Sequence, residues 1–198
     1  MRIGILGSGL MGGKLGTLFA RAGHEVVFSY ARRRRKLEEL ARDADALLLA
    51  VHWSRMDDVL RQAGDVSGKV VVSCSLPMNE DDTELVVGRT SSGAERLARK
   101  VPRARVVSAF GTVPSEVLPG VFAARDRATR PSLVYCGDDA AAKAVAAALI
   151  RDVGFEPVDA GPLQVARYTE PFALLIAQLA YEGEDGPELA YRFERFGA

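Results

Sequence analysis

The first 22 residues constrain the fold most, because an apolar run at 2–6, typical of a buried parallel strand, is followed at once by a glycine-rich turn and an amphipathic helix. Gly7 permits a tight turn, Gly9 lets a pyrophosphate approach the backbone, and Gly12 allows the helix to pack closely on the strand. Apolar residues then recur at helical spacing over 15–22. This unit predicts a dinucleotide site in which backbone N–H groups hold the pyrophosphate. The residues assigned to it are Gly7, Ser8, Gly9, Leu10, Met11 and Gly12.

A run of basic residues follows the second predicted strand, which covers 25–29. In an NAD-specific site an Asp or Glu at the end of this strand would bind the ribose hydroxyls, yet the Ser-Tyr-Ala found there contains no carboxylate. The cations at 32–36 are either a solvated helix face or a binding site for a 2′-phosphate. Cations in a first helical turn oppose the helix dipole and repel one another, and a phosphate would relieve that repulsion. We therefore expect NADP(H), with its 2′-phosphate on Ser29, Arg32 and Arg33.

Further apolar runs alternate with helical patterns and predict an α/β fold. The runs at 45–51, 70–74 and 105–110 are typical of central parallel strands, so we expect a Rossmann-type, doubly wound and mainly parallel sheet. Ligands of such sheets bind at the carboxyl ends of the strands. Trp53 either borders the cofactor cleft or fills a packing gap, and His52 is either a proton donor or a polar surface residue. The residues expected beside the adenosine and nicotinamide are Val51, His52, Trp53, Leu76 and Pro77.

The charge balance argues against several classes of partner. Lys and Arg together number 26, as do Asp and Glu, so the molecule as a whole attracts neither nucleic acid nor an anionic membrane surface. No apolar run approaches the roughly 18 residues of a membrane helix, and the first strand begins almost at once, so we expect no signal peptide and a cytoplasmic location. Cys74 and Cys136 lie in apolar runs and predict small buried residues, with neither a disulfide nor a metal site.

The C-terminal third predicts a smaller group of elements. A loop with scattered charge follows 119–120 and runs to 131; it leads to a strand and then to a helix over 140–151, with Asp138 or Asp139 as its N-cap. The last long helix, 167–181, is apolar nearly all round, which indicates burial either in the core of the chain or against a second subunit. We expect the second subunit, and therefore a homodimer.

Three stretches together resemble one known family. They are the glycine turn with its basic run, the segment 94–114, and the segment 137–167. The most specific of these patterns is Asp-Ala-Gly-Pro-Leu at 159–163, followed by Arg167 before an apolar helix. On these residues the chain resembles the NADPH-dependent reductases of the deazaflavin coenzyme F420, which are also similar to the cytosolic domain of transmembrane ferric reductases.

The resemblance implies an NADP-binding Rossmann-type domain over 1–131 and a small C-terminal part over 132–198 that serves the acceptor side and dimerisation. It further implies hydride transfer between NADP(H) and coenzyme F420 or a flavin-like acceptor. The two rings carry the chemistry, so no side chain is expected to be catalytic. Arg167 either binds the anionic tail or carbonyl of the acceptor or pairs with Glu170. The residues implied for the acceptor pocket are Phe110, Gly111, Leu163 and Arg167.

Two departures from the family pattern leave the acceptor open. The family usually has His or Asn where this chain has Gly111, and an Asn after the Gly-Pro-Leu turn, where Gln-Val-Ala at 164–166 follows here. A flavin or ferric reductase is one alternative, and a non-catalytic NADPH sensor is another. A small hydroxyacid or imine dehydrogenase is disfavoured, although 9–12 resembles that group, because such enzymes use a catalytic Lys and the chain has none after Lys143.

Overall fold

The computed structural model describes residues 1–29 and 34–197, and these residues form one mainly parallel sheet with helices on both faces. Its strands are β1 (Arg2–Leu6), β2 (Glu25–Phe28), β3 (Ala46–Leu49), β4 (Val70–Ser73), β5 (Arg105–Ser108), β6 (Ser132–Gly137) and β7 (Glu156–Asp159). Its helices are α1 (Leu10–Arg21), α2 (Arg34–Asp43), α3 (Met56–Ala63), α4 (Gly93–Lys100), α5 (Val117–Ala123), α6 (Ala140–Val153) and α7 (Ala166–Tyr181). The predicted Rossmann-type, doubly wound α/β fold with a C-terminal helix is confirmed.

The order of the strands opens a crevice beside the glycine turn. The described strands lie in the order β2-β1-β3-β4-β5-β6-β7. β1 to β5 are parallel, β6 runs antiparallel to β5 with Cys136 opposite Ser108, and β7 is parallel to β6. Since β2 lies on one side of β1 and β3 on the other, the chain changes direction across the sheet at β1. Doubly wound sheets bind their ligands at this switch point.

Alternate residues of the central strands enter two hydrophobic cores, one on each face of the sheet. On β3, Ala46 and Leu48 belong to the core formed with α1, α5 and α6. Leu47 and Leu49 belong to the core formed with α2, α3 and α4. All four side chains are fully buried. Burial on both faces explains why the sequence of this strand is continuously apolar rather than alternating.

The prediction of a loop after residue 120 is wrong over 121–123, which belong to α5. This helix contains Pro119 and Gly120, both of which lower the intrinsic preference for a helix. It nevertheless buries Leu118 and Phe122 in the core beside α1 and α6. Tertiary packing therefore stabilises a helix that the local sequence disfavours.

Side-chain caps fix the starts of two helices. At α4 the hydroxyl of Ser92, the N-cap, accepts a hydrogen bond from the Glu95 N–H at 3.1 Å and donates to the Glu95 carboxylate at 2.9 Å. At α6, Asp139 accepts from the Ala142 N–H at 2.7 Å and is the N-cap. Asp138, the alternative cap, instead accepts from the N–H of Leu163 at 2.9 Å and ties the end of β6 to the segment before α7.

The two cysteines are unpaired, and both are shielded from water. Cys136 is fully buried and Cys74 is half-buried. Burial raises the pKa of each thiol to about 12, so both remain protonated near neutral pH. Within 1–29 and 34–197, no group of His, Cys, Asp and Glu side chains has the arrangement of a metal site. In the same part of the chain, no helix has the length and apolar character needed to cross a membrane.

The C-terminal third joins the rest of the sheet through β6, and α7 is buried along one face only. Ala173 and Ile176 point into the protein, whereas Tyr168, Leu175 and Leu179 are 73%, 54% and 56% exposed. The chain by itself therefore buries only part of this apolar helix. Burial of the rest in a homodimer stays a prediction, as does a domain boundary between 131 and 132.

A buried carboxylate joins α7 to α4. Glu170 is 3% exposed and accepts hydrogen bonds from the N–H groups of Gly93 at 2.9 Å and Ala94 at 3.0 Å. These N–H groups belong to the first turn of α4 and have no carbonyl partner within that helix. Burial raises the pKa of Glu170 to about 7, because the loss of hydration outweighs the two hydrogen bonds.

We expect the contribution of Glu170 to stability to depend on pH. Its pKa rises from an ordinary 4.5 to about 7 on folding. The folded state therefore binds this proton more tightly than the unfolded state does. The contribution of Glu170 to the free energy of unfolding should fall by about 3 kcal/mol as the pH rises from about 4.5 to about 7. Glu170→Gln cannot titrate. Urea unfolding gives the free energy of unfolding of the wild type and of this variant. The difference, wild type minus variant, should fall by about 3 kcal/mol between about pH 4.5 and about pH 7.

The exposed Glu184 provides the control. Glu184→Gln should give a difference from the wild type that stays constant over the same pH range. A constant difference for Glu170→Gln as well would mean that the folded protein keeps this carboxylate ionised on the two N–H groups of α4.

Candidate functional site

The glycine turn between β1 and α1 is packed tightly at two of its glycines and open at the third. Gly7 has a φ of 108°, and a Cβ there would overlap the carbonyl oxygen of Ala50. A Cβ at Gly12 would overlap the carbonyl oxygen of Gly7, so α1 rests directly on the turn. Gly9 faces open space and caps α1 without a side-chain hydrogen bond. The N–H groups of the first turn of α1 are therefore placed to bind an anion.

A cleft with two lobes crosses the carboxyl edge of the sheet at this turn, and its lobes share Gly9, Ala50, Val51 and His52. The outer lobe, toward β2, has a volume of about 250 Å³, and the inner lobe, toward β5 and α7, about 420 Å³. The outer lobe is lined by Gly7, Ser8, Gly9, Ser29, Leu37, Ala50, Val51, His52, Arg55, Val59 and Gln62. The inner lobe is lined by Gly9, Leu10, Met11, Ala50, Val51, His52, Cys74, Ser75, Leu76, Met78, Asp82, Gly111, Val113, Pro114, Ser115, Ala173, Ile176, Ala177 and Tyr181.

The polar side of the outer lobe is organised by Asp58. One of its carboxylate oxygens accepts from Arg55 Nη2 at 3.1 Å and from Gln62 Nε2 at 2.9 Å. The other accepts from Arg61, which does not line the lobe, at 3.4 Å. Hydrogen bonds from Gln62 and Arg55 lower the pKa of Asp58. Sequence reasoning missed Arg55 and Gln62, although Arg55 lies in the segment after β3 that the sequence places at the ligand edge.

The expected 2′-phosphate site lies only partly within the described residues. Arg32 and Arg33 lie outside them. Ser29 is buried, borders the outer lobe, and accepts a hydrogen bond from the Gly7 N–H at 3.4 Å. Its hydroxyl thus connects the end of β2 with the glycine turn.

The inner lobe is mainly apolar and draws its walls from several elements. Leu76 comes from the loop after β4, Val113 from the segment after β5, and Ile176 from α7. Ser75 fastens two strand ends, since its hydroxyl donates to the carbonyl of Val51 at 2.7 Å and accepts from the N–H of the same residue at 3.3 Å. A concave apolar site with a few fixed polar groups suits a flat ring and limits the access of water.

His52 is held at the junction of the lobes through both ring nitrogens. Nδ1 accepts a hydrogen bond from the Ser54 N–H at 3.3 Å and caps the 3-10 helix Trp53–Arg55. In the neutral ring Nε2 therefore carries the proton, and it lies 3.1 Å from the carbonyl oxygen of Asn79 and 3.2 Å from Asp82 Oδ1. His52 thus connects the segment after β3 with the loop after β4. It is neither an isolated surface residue nor an unengaged proton donor.

Two of the strand-end residues expected at the cleft lie elsewhere. Trp53 is half-buried and packs against the core formed with α2, α3 and α4, which favours its packing alternative. Pro77 is buried beneath Gly93, where an added Cβ would lie 3.0 Å from the proline ring. The strand-end residues that do line the cleft are Val51, His52 and Leu76.

Of the two residues after β5 that were expected at an acceptor pocket, Gly111 lines the inner lobe and Phe110 does not. Phe110 is fully buried, has a φ of 65°, and packs edge-on against Phe19 with 6.0 Å between ring centroids. Its left-handed backbone follows the end of β5, and its ring belongs to the core, which corrects the expectation for this residue. A Cβ at Gly111 would lie 3.2 Å from the carbonyl oxygen of Cys74, so a larger residue would narrow the lobe.

Leu163 and Arg167 also lie away from the cleft. Leu163 is 4% exposed and belongs to the core. Arg167 donates from Nε and Nη2 to the two carboxylate oxygens of Glu95 at 2.8 and 2.7 Å, which links α7 to α4. The alternative pairing with Glu170 is wrong, because that carboxylate binds the N-terminus of α4. Arg167 would have to leave Glu95 to reach an acceptor.

Sequence reasoning also missed a polar group at the α7 end of the inner lobe. The hydroxyl of Tyr181 donates to Glu116 Oε2 at 2.9 Å, and burial together with this carboxylate raises the pKa of Tyr181 to about 12. Lys14 Nζ donates to Ser115 Oγ at 3.0 Å and lies 3.9 Å from Glu116 Oε1. The partners are 65 and 101 residues apart in sequence, so no local motif could have indicated these contacts.

Comparisons with known proteins agree with this geometry. The family model for NADP oxidoreductase, coenzyme F420-dependent, matches residues 2–77. A protein from Arthrobacter sp. FB24, whose name proposes an F420-dependent NADP reductase, superposes with a TM-score of 0.85 at 23% identity, covering 98% of this chain and 99% of that one. The Sinorhizobium meliloti protein SMa0349 superposes with a TM-score of 0.68 at 25% identity, covering 98% of this chain and 96% of that one.

A curated relative matches over most of this chain but is much longer. Metalloreductase STEAP3 of Rattus norvegicus is 28% identical over 185 residues, which cover 87% of this chain and 36% of that protein. The chain thus spans little more than a third of the length of that relative. The resemblance seen in the sequence is confirmed over residues 2–77, which match the family model of the coenzyme F420-dependent NADP oxidoreductases.

Proposed function

We propose that this protein transfers hydride between NADP(H) and a planar ring acceptor, either the deazaflavin coenzyme F420 or a flavin. The observation that carries the proposal is the cleft, whose two lobes meet at Gly9, Ala50, Val51 and His52. This junction lies at the glycine turn, so a dinucleotide with its pyrophosphate there extends into both lobes. The family match over 2–77 supports NADP(H) as that dinucleotide.

The residues on the two sides of the turn suit NADP(H) in one orientation. The adenosine belongs in the outer lobe beside Leu37 and Val59, with the 2′-phosphate near Ser29. Arg32 and Arg33 are proposed to neutralise that phosphate. The nicotinamide then belongs in the inner lobe, next to the space for the acceptor.

NADPH supplies the hydride when it is bound, and the chain itself orients the rings and excludes water. Leu76, Val113 and Ile176 offer apolar surface for two stacked rings, and near-attack geometry of this kind accounts for much of the rate of such transfers. The Tyr181 hydroxyl at one end of the lobe stays protonated at neutral pH and donates to Glu116, so it offers its oxygen to a ligand as an acceptor. Hydride exchange between two rings requires no acid or base from the side chains.

The shape of the site favours an enzyme over the alternatives. A non-catalytic sensor needs the glycine turn but no second space, whereas the inner lobe of about 420 Å³ extends well beyond the turn. A hydroxyacid or imine dehydrogenase would need a catalytic Lys. Lys143 instead pairs with Asp159 at 2.9 Å and does not line the cleft. The similarity to a metalloreductase supports one second candidate, reduction of ferric iron through a flavin.

We also propose that the exposed stripe of α7 forms a homodimer interface. Tyr168, Leu175 and Leu179 recur at helical spacing on that stripe, and each is more than half exposed. The 21.3-kDa chain should therefore elute with the mass of a dimer in light scattering coupled to size exclusion. Leu175→Glu combined with Leu179→Glu should give the monomer mass, whereas Gln178→Glu, also exposed on α7, should not. A monomeric wild type would contradict this interface.

We expect NADPH to bind at least about tenfold more tightly than NADH, which corresponds to about 1.4 kcal/mol from charge-assisted hydrogen bonds to the 2′-phosphate. Replacing Arg32 and Arg33 by Ala should raise the dissociation constant of NADPH and leave that of NADH almost unchanged. Calorimetric titration of both cofactors measures the four values. Arg42→Ala is the control, since this exposed arginine lies in the last turn of α2. Equal binding of NADPH and NADH by the wild type would overturn the cofactor assignment.

The acceptor is tested by following nicotinamide absorbance. Purified protein and NADPH are mixed separately with coenzyme F420, FMN, riboflavin and a ferric chelate. We expect oxidation with at least one ring acceptor. Oxidation by the ferric chelate only after a flavin is added would favour the second candidate. Absence of oxidation with every acceptor would instead favour a sensor.

A further inference from the structure

The charge lining the inner lobe is unusual for a site that would bind an anionic acceptor. Among the described residues that line this lobe, none is Lys or Arg. Its titratable side chains are His52, Cys74, Asp82 and Tyr181. The Cys74 thiol and the Tyr181 phenol, each with a pKa raised to about 12, are protonated at neutral pH. Asp82 therefore supplies the permanent charge of the lining, and that charge is negative.

The loop after β4 carries Asp82, which lines the lobe with a side chain that is 68% exposed. Asn79 Oδ1 accepts hydrogen bonds from the N–H groups of Thr83 at 2.8 Å and Glu84 at 3.2 Å, which closes the loop on itself. Asp82 has a φ of 56°, and its carboxylate lies 3.2 Å from His52 Nε2. The Nδ1 atom of the same ring accepts the backbone N–H of Ser54 at 3.3 Å, which fixes the ring beside the carboxylate.

Two cations of the described residues that an anionic tail could recruit, Arg167 and Lys14, are engaged with other groups. Arg167, which the resemblance implies for an anionic tail, forms a two-point ion pair with Glu95. Lys14 donates to Ser115 and lies 3.9 Å from Glu116. Among the described residues, Arg167 and Lys14 are thus both held by carboxylates.

We propose that the inner lobe takes an uncharged planar ring, of which riboflavin is an example, and that Asp82 is a specificity-determining residue that disfavours acceptors with a phosphorylated tail. This inference rests on the proposed function and names the acceptor class for the same site. A phosphate near neutral pH carries nearly two negative charges. Its repulsion by one partly screened carboxylate should weaken binding by roughly fivefold.

The proposed transfer balances without a further oxidant. NADPH loses one hydrogen with two electrons as hydride and becomes NADP⁺. The oxidised isoalloxazine gains that hydride at one ring nitrogen and takes one proton from water at another. The phosphate of FMN takes no part, so riboflavin and FMN differ in charge but not in the reacting ring.

Riboflavin and FMN therefore form a matched pair for the test. Their dissociation constants are measured by quenching of flavin fluorescence with the full chain saturated with NADP⁺, so that no turnover occurs. We expect riboflavin to bind roughly fivefold more tightly than FMN at low salt. The ratio of the FMN dissociation constant to the riboflavin dissociation constant should fall toward one in about 0.5 M NaCl, because the salt screens the repulsion. Steady-state kcat/KM with NADPH should follow the same order.

Two variants separate the charge of Asp82 from other effects. Asp82→Asn keeps the size of the side chain and tolerates the left-handed backbone, and it should bring the FMN-to-riboflavin ratio close to one. Asp81→Asn removes the neighbouring exposed charge, which does not line the lobe, and should leave the ratio as in the wild type.

The outcomes distinguish this inference from the proposed function. Binding of FMN or coenzyme F420 as tight as that of riboflavin, or a ratio that Asp82→Asn leaves unchanged, would overturn the inference even if NADPH reduces all of these rings. If NADPH reduces none of them while riboflavin still binds more tightly than FMN, the proposed function fails and the charge selectivity stands.

Discussion

The contact between α1 and the glycine turn is the constraint on which the rest of the site depends. Because Gly12 has no Cβ, the helix approaches the carbonyl oxygen of Gly7, and because Gly7 has none, the turn approaches Ala50 at the end of β3. Any side chain at either position would push the helix off the sheet. The two contacts bring the N–H groups of α1 to the open space at Gly9, where both lobes of the cleft meet. The absence of a Cβ at Gly7 and Gly12 thus accounts both for the tight packing of the turn and for the space that a ligand can occupy.

The second constraint is the docking of α7 on α4. Glu170 binds the first N–H groups of α4, and Arg167, one turn earlier on α7, pairs with Glu95. These two contacts with the N-terminal turn of α4 fix how α7 is rotated about its axis and how far it is shifted along that axis. This orientation presents Ile176 and Tyr181 to the inner lobe. It also explains why Arg167 is not available to a ligand. The residue that the family resemblance implies for the acceptor serves here to hold the wall of the pocket.

Much of the fold could be predicted from the sequence because its signals are local. The continuous apolar character of β3 reflects burial on both faces, and Asp139 caps the helix that follows it directly in the chain. The prediction failed where distant parts of the chain decide the outcome. α5 forms in spite of Pro119 because the core buries its apolar side chains. Phe110 has a left-handed backbone after the end of β5, and its ring lies in the core instead of the cleft.

The sequence by itself determined the strand–turn–helix unit, the order of alternating elements and the strand ends at which ligands bind, since each of these depends on residues that are near neighbours in the chain. Only the tertiary structure decided which side chains enter the cleft. Lys14 and Ser115, or His52 and Asp82, meet because separate strands end at the same edge of the sheet. The charge of the inner lobe is a property of that assembly, because electrostatic contacts depend on distance in space and not on separation along the chain.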